Sequence, residues 1–337
     1  MVRKNPKRKN CPADVKSSLL KMNYALVGET SAVQICRWTK NAIRGGRGCW
    51  KEKFYGISSA GCCEMTPAVM WCENQCLHCW RPIEMNLGTD LPAIDNPVEI
   101  LDGIVEARKN LLIGFKGRKG IDLKKIEAAL EPKLYTMSLS GEPTLYSRIG
   151  EMFKEIRRRG AVSFLVTNGL NPEVLAGFKD DEFPTQIAVS TNAPNEKLFK
   201  IWHRSTKENA WQKFNETLDE IKKLKGKVRR VVRLTLAIEG KEGQFNNSTN
   251  MLEENIPEYC DLIKKAEPDF VHVKGYTSVG YARGRMGYDN QPWHKDVKNY
   301  AKKIQEGLED YKIAAEDERS CIVMLARKGV KLKIEKI

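Results

Sequence analysis

Apolar and polar positions along this chain repeat on two periods. Short apolar runs with the composition of buried strands are separated by longer stretches in which apolar residues recur every three or four positions, as on one face of a helix. Residues 134–139, 163–167, 186–190, 231–236 and 270–274 read as strands. Residues 97–112, 147–159, 195–201, 209–225, 253–266 and 294–308 read as helices. The run Ala68-Val69-Met70-Trp71 reads as the end of a further buried strand. Strands that alternate with helices imply parallel βαβ units. With the strand before Cys72 there are six, which predicts an α/β fold: a partial, TIM-like (β/α)6 barrel. In such a barrel functional side chains gather at the C-terminal ends of the strands.

The barrel is expected over residues 67–310. Before it, residues 1–66 form an N-terminal extension with a basic arm, a helix near 13–24, and a cysteine-, glycine- and tryptophan-rich segment of loops and short helices. After it, residues 311–337 read as a C-terminal strand extension, Ile322-Val323-Met324-Leu325 being its clearest part. The polar stretch 240–250 reads as a loop.

No apolar run approaches the ~20 residues of a membrane span, and the first ten residues lack the apolar stretch of a secretory signal. A cytoplasmic protein without membrane association is expected. The net charge of +14 is carried by runs at 3–9, 116–119, 157–159, 222–233 and 283–285 and by the lysine-rich C-terminus. Any single run fits a solvated helix face, but their sum suggests a polyanionic partner, and nucleic acid is the common one.

Seven of the ten cysteines lie between Cys36 and Cys79, which suits metal ligation better than a disulfide framework. Cys72, Cys76 and Cys79 follow a C-x3-C-x2-C spacing on the loop after the first strand. Three thiolates on one tight loop suit a soft metal centre. A zinc knuckle with His78 as fourth ligand is the competing explanation. The spacing resembles the signature of the radical S-adenosylmethionine (SAM) superfamily. That resemblance implies a 4Fe–4S cluster whose open iron chelates SAM and cleaves it to a 5′-deoxyadenosyl radical.

Cys36, Cys49 and Cys62 are spaced 13 and 13 residues apart, with Cys62 ten before Cys72. Three further thiols could hold a second cluster or be plain buried cysteines. This ladder, together with Cys49-Trp50-Lys51, His78-Cys79-Trp80-Arg81-Pro82, the 138–145 stretch and the 273–283 stretch, is similar to the 4-demethylwyosine synthases, tRNA-modifying enzymes of wybutosine biosynthesis. The resemblance covers nearly the whole chain. It implies a radical SAM barrel with two 4Fe–4S clusters, SAM, and pyruvate as co-substrate. It implies Lys51 as the amine forming a Schiff base with pyruvate, Lys53 being the competitor, and Cys62 rather than its neighbour Cys63 as the cluster ligand. Such an amine needs neighbours that lower its pKa. The chain carries no flavodoxin-like domain of the kind fused to eukaryotic members. The resemblance is thus to the archaeal form and implies an external electron donor and a monomer.

Ser140, Gly141 and Glu142 resemble the "GGEP" loop that holds the SAM amine, with serine in place of the first glycine. Asn168, Ser190 and Asn192 are polar ends of apolar strands and are further candidates for SAM, although Asn168-Gly169 also makes a good turn. Arg233 interrupts an apolar strand and needs an anion, either the SAM carboxylate or a salt-bridge partner. Tyr276, Tyr281, Arg283 and Arg285 mix aromatic rings with arginines, a pattern for stacking bases and contacting phosphates. Trp80 and Arg81 lie beside the reacting centre, and Trp202-His203-Arg204 serves either RNA or the core. The expected substrate is tRNA-Phe carrying N1-methylguanosine beside the anticodon. The alternatives are a radical SAM enzyme acting on another RNA or a protein, and an RNA-binding protein with a structural metal.

Overall fold

Among the described residues, ten strands form one sheet in the order β1-β2-β3-β4-β5-β6-β7-β8-β10-β9. They are β1 (Ala25–Val27), β2 (Ser31–Gln34), β3 (Cys62–Thr66), β4 (Leu134–Met137), β5 (Val162–Thr167), β6 (Gln186–Ser190), β7 (Arg229–Leu236), β8 (Phe270–Gly275), β9 (Tyr311–Asp317) and β10 (Ile322–Arg327). The computed structural model describes residues 12–117, 120–240 and 249–335. The basic arm, Cys11, Arg118, Lys119, most of the 240–250 loop and the last two residues lie outside the described residues.

The six strands β3 to β8 are parallel to their neighbours. At one side β1 and β2 continue the sheet antiparallel, and at the other β10 and β9 do so. Among the described residues nothing pairs β1 with β9, so the sheet is open, a partial barrel. The expected helices are present with ends moved by a few residues, among them Pro97–Lys116, Ile149–Arg158, Ala210–Lys223, Ile256–Ala266 and His294–Glu306. Asn96 shows why the first of these starts where it does: its side chain accepts from Val98 N at 2.9 Å, and Pro97 has no N–H to leave unpaired. Among the described residues no helix is long and apolar enough to cross a membrane.

One expected strand moves. Residues 68–71 are not its end; β3 stops at Thr66. Pro67 cannot donate to the ladder, and Thr66 Oγ1 accepts from Ala68 N at 3.1 Å, turning the chain. Met70 then adopts a left-handed φ of 68°. The apolar run is buried against Val15, Leu19, Tyr24 and Leu139, so its hydrophobicity reports packing and not extension. The first parallel strand consequently carries Cys62 itself.

The two faces of the parallel strands bury different things. The outer face packs on the helices in the main core, which includes Cys63. The inner face is apolar at the start of the strands, where Cys62, Leu134, Val162 and Phe270 meet Phe54 and Tyr55. Those two aromatics belong to the short helix Trp50–Tyr55, which plugs the N-terminal end of the barrel. Above them the inner positions become polar: Glu64, Thr136, Ser190, Arg233, His272 and Lys274.

Candidate functional site

The loop holding Cys72, Cys76 and Cys79 is fixed largely by its backbone. Gln75 N and Leu77 N donate to the carbonyls of His203 and Trp202 at 2.9 and 3.0 Å. Arg204 Nε donates to Gln75 O at 2.9 Å, and Thr206 N to Glu73 O at 2.8 Å. Trp202-His203-Arg204 is therefore a seat for this loop, with Trp202 in the core. Arg285 grips the other side: Nε donates to Leu77 O at 3.1 Å, and Nη2 donates to Cys79 O and, at 3.2 Å, to Arg81 O. Its Nη1 pairs with Glu84 at 2.6 Å.

The three thiols are free and half-buried, and burial is the main cause that pushes each above its ordinary range. Both side-chain polar atoms of Asn74, and Nδ1 of His78, are buried among them without a hydrogen-bond partner. Orphaned polar atoms beside three thiols fit a group that the chain itself does not supply. Among the described residues, no group of three or more His, Cys, Asp or Glu side chains is drawn together for a single metal ion. The side chain of His78 is held at 3.3 Å from Asn192 Nδ2, and burial pushes its imidazole down to about 3.

Behind the loop lies a polar network that the sequence does not announce. Glu73 is fully buried; its carboxylate accepts from Asn168 Nδ2 at 2.9 Å and Asn171 Nδ2 at 2.6 Å, and Lys207 Nζ lies 3.6 Å away. Asn168 Nδ2 also reaches Cys72 Sγ at 3.8 Å. Glu142 accepts from Thr144 Oγ1, Thr167 Oγ1 and Asn168 N, each at 2.7 Å, and from Thr144 N at 3.2 Å. Three of these bonds fall on Oε1, which leaves a lone pair of Oε2 for an ammonium group. Burial, reinforced by Glu73, pushes the Glu142 carboxyl up to about 7. Gly141 has a φ of +70°, and a Cβ there would fall on the carbonyl oxygen of Ala68 and 2.6 Å from that of Trp71. Glycine is needed for the 140–142 turn to reach the cysteine loop, where Glu142 N donates to Trp71 O at 2.7 Å. Ser140 is buried with Oγ 3.3 Å from Met70 Sδ, and Asn192 Oδ1 accepts from Thr235 N at 3.1 Å.

The residues of the second cysteine set come from three different elements. Cys36 is the N-cap of the helix Arg37–Ile43, Cys49 the N-cap of Trp50–Tyr55, and Cys62 opens β3 on the inner face. Cys36 and Cys49 each interact electrostatically with Cys62. Burial pushes the Cys36 thiol up to about 12 and raises that of Cys49. Cys63, the alternative, points to the outer face, where burial pushes it up to about 12.

Lys51 rises from the plug helix into the same space. Its Nζ donates to Cys62 Sγ at 3.4 Å and to Thr136 Oγ1 at 3.1 Å. Lys53 points away and donates to Glu316 O at 2.6 Å. One expectation reverses. Burial acts to lower the Lys51 amine, but Cys62, Cys49, Cys36 and Glu64 outweigh it and hold the amine above its ordinary value.

Glu64 joins the two cysteine sets. It lies two residues after Cys62 on the inner face of β3, 3.9 Å from Arg81 Nη2, and it is electrostatically coupled to Arg81, Lys51 and Arg233. The signal for it was a charge at an inner position of a cysteine-bearing strand. The electrostatic partners of Arg233 are Cys49, Glu64 and Tyr55. It is the register neighbour of Ser190 and of His272.

Two of the four residues expected on an RNA surface are used internally. Tyr276 is 1% exposed and its hydroxyl lies 3.2 Å from Ala282 O and 3.3 Å from Gly287 O. Arg285 is consumed by the cysteine loop. Tyr281, 42% exposed, and the exposed Arg283 remain outward, beside exposed Trp80.

Two family models match the chain: the radical SAM superfamily over residues 67–252 and wyosine base formation over residues 265–327. The S-adenosyl-L-methionine-dependent tRNA 4-demethylwyosine synthase of Pyrococcus abyssi is 40% identical over 331 residues, covering 98% of this chain and 92% of that one; that of Pyrococcus horikoshii matches to the same extent. The mouse enzyme of that name is 35% identical over 94% of this chain, which covers 42% of its length. Among solved structures, TYW1 with a lysine-pyruvate adduct bound superposes with a TM-score of 0.82 at 28% identity, covering 96% of this chain and 98% of that one. An archaeal TYW1 superposes at 0.75 with 26% identity, covering 96% and 99%.

Proposed function

The chain belongs to the tRNA 4-demethylwyosine synthase family of radical SAM enzymes, and on that premise we propose how its residues divide the chemistry. It is a radical SAM enzyme that modifies tRNA in wybutosine biosynthesis, with SAM and a 4Fe–4S cluster as its cofactors.

We assign the cluster to Cys72, Cys76 and Cys79, and SAM to the surface formed by Ser140, Gly141, Glu142, Asn168, Ser190 and Asn192. When bound, this pair supplies a carbon-centred radical able to take hydrogen from an unactivated methyl group. We assign a second 4Fe–4S cluster to Cys36, Cys49 and Cys62. The methyl group belongs to N1-methylguanosine beside the anticodon of tRNA-Phe, which Tyr281 and Arg283 help to hold.

Lys51 carries the co-substrate, pyruvate. Its amine adds to the C2 carbonyl and water leaves as the C=N bond forms. To react, the ammonium must first shed a proton; Thr136 Oγ1 and Cys62 Sγ orient it by accepting hydrogen bonds, and Glu64, the carboxylate electrostatically coupled to it, is the base that takes the proton. The imine holds the two-carbon fragment facing the methyl carbon. The methyl carbon, having lost a hydrogen atom, bonds to the imine carbon; the bond from that carbon to the carboxyl carbon breaks and the unpaired electron leaves with the carboxyl carbon. The exocyclic amine of the guanine then displaces the Lys51 amine to close the ring of 4-demethylwyosine, a carbon–carbon lyase reaction. The enzyme acts as a cytosolic monomer with an external electron donor.

The observation that carries this reading is the amine of Lys51 at 3.4 Å from a thiol of the second set, in a fold that superposes on a relative described with a lysine-pyruvate adduct. An anaerobic assay of the reconstituted enzyme with N1-methylated tRNA, SAM and pyruvate, followed by nucleoside mass spectrometry, tests it. The Lys51→Ala enzyme is expected to cleave SAM without converting tRNA. Full conversion by that variant removes the imine from the mechanism.

A further inference from the structure

Arg233 is a guanidinium on the inner wall with no salt bridge and no hydrogen bond from its side chain among the described residues, and its Nε is buried without a partner. A second cation stands close to it. Lys274, an inner residue of β8, is paired in register with Thr235, two positions beyond Arg233. Among the described residues the hydrogen bonds of Lys274 Nζ go to backbone carbonyls, those of Gly275 at 3.2 Å and Ser320 at 3.1 Å. Burial, with the Arg233 charge adding to it, pushes this amine down to about 8. Two adjacent cations in a half-buried wall repel each other and lose hydration unless an anion lies between or before them.

The chain offers them little. The carboxylate that faces Arg233 is Glu64, and it is shared with Arg81 and Lys51. The position of the missing anion follows from what packs on this wall: the helix Trp50–Tyr55 that carries Lys51 lies against His272, the register partner of Arg233, with the Trp50 ring 4.9 Å from that of His272 and Tyr55 Oη 2.6 Å from His272 Nε2. Three cations therefore surround one inner space, and one of them is the amine assigned to the imine. In a 2-oxo acid the carboxylate is bonded directly to the carbonyl carbon. An acid condensed on Lys51 thus presents its charge within a bond of the reacting centre, into the space that Arg233 and Lys274 line.

We propose that Arg233, with Lys274 beside it, clamps the carboxylate of the 2-oxo acid held on Lys51 and so selects a 2-oxo acid over an uncharged ketone. The proposal rests on the imine assignment above. It makes Arg233 a binding residue for the co-substrate and not for the SAM carboxylate. The carboxylate so held is the one released in the reaction, and its C–C bond is fixed relative to the barrel axis by a guanidinium that the β7 backbone anchors.

The test is reductive trapping on the reconstituted holoenzyme. The wild type, Arg233→Gln, Arg233→Lys and Lys274→Gln are incubated with pyruvate or its uncharged amide, pyruvamide, and cyanoborohydride, and the Lys51 peptide is quantified by mass spectrometry. SAM affinity is measured in parallel by equilibrium dialysis. In Arg233→Gln the pyruvate concentration for half-maximal trapping is expected to rise at least about tenfold, the scale of one charge-assisted hydrogen bond. The pyruvamide concentration is expected to move far less, so that the preference for the acid collapses. Arg233→Lys keeps the charge and is expected to fall between, which separates loss of the anion site from loss of folding. Pyruvate trapping in Arg233→Gln that matches the wild type overturns the clamp alone. A loss of SAM affinity with pyruvate capture intact also overturns it, by giving the guanidinium to SAM. A wild-type enzyme with no adduct at Lys51 sinks the imine and the clamp together.

Discussion

Arg285 donates from Nε to the carbonyl oxygen of Leu77 at 3.1 Å, across 208 positions of sequence. The same guanidinium holds Cys79 O and Arg81 O, so one side chain from the segment after β8 fixes three carbonyls of the cysteine loop. Arg285→Ala leaves those carbonyls without their charged donor, and each such bond contributes about 1.5–3 kcal/mol. The expected outcome is a lower urea midpoint, lower iron content after reconstitution, and unchanged tRNA affinity of the protein that does fold. Arg285→Lys is expected to rescue little, because an ammonium cannot reproduce the planar fork. A variant with full iron and weakened tRNA binding would return Arg285 to the RNA surface.

Cys62 and Cys63 are neighbours in sequence and opposites in space, as alternation along a strand requires. Two cubanes correspond to about eight irons per chain. Cys62→Ser is expected to halve that number, while Cys63→Ser keeps it and costs only stability, because Cys63 sits among core side chains on the outer face. Iron and sulfide counting on anaerobically reconstituted protein decides between them. Equal losses in both variants would mean that the second set is not built as assigned.

Gly141→Ala tests the approach of the 140–142 turn to the cysteine loop. The left-handed φ alone costs about 1–2 kcal/mol with a side chain, and the added methyl must also displace the Ala68 carbonyl. Weaker SAM binding at near-normal iron content is the expected result, read by equilibrium dialysis. Loss of iron instead would show that the turn supports the loop and not the ligand.

The strand–helix alternation was legible because both periods are long and uninterrupted in the central part of the chain. The two cysteine sets stand out in the sequence because runs of three cysteines at such spacings rarely arise by chance. The β1–β2 hairpin was not, since strands of three and four residues carry too little pattern to be distinguished from a loop. Residues 68–71 show that apolarity alone does not separate a buried strand from a buried turn. Glu64, Glu73 and Asn171 were missed for a different reason. Each is an ordinary polar residue until its partners arrive from elsewhere in the chain, as Asn171 reaches Glu73 across 98 positions. The amine of Lys51 was misjudged because the groups gathered around it, Cys62, Cys49, Cys36 and Glu64, favour its charged form more than burial disfavours it.

The segment after β8 shows how an aromatic–arginine pattern divides between structure and surface. Tyr276 and Arg285 face inward, Tyr281 and Arg283 outward, and nothing in the local composition separates the two pairs. RNA affinity separates them. Arg283→Ala is expected to weaken tRNA binding and to reduce the slope of log affinity against log salt by about one, as loss of one phosphate contact does. Tyr281→Ala is expected to weaken binding by about 1–3 kcal/mol with the salt slope intact, because stacking releases no counterions. Tyr276→Phe removes a hydroxyl that hydrogen-bonds backbone carbonyls, so it is expected to lower stability by about 1 kcal/mol and leave tRNA affinity unchanged. Fluorescence anisotropy with labelled tRNA across a salt series measures all three. If Tyr276→Phe weakened RNA binding as much as Tyr281→Ala does, the division of this segment into an inner brace and an outer RNA contact would fail, and the tRNA would have to reach deeper into the barrel mouth than an exposed Tyr281 requires.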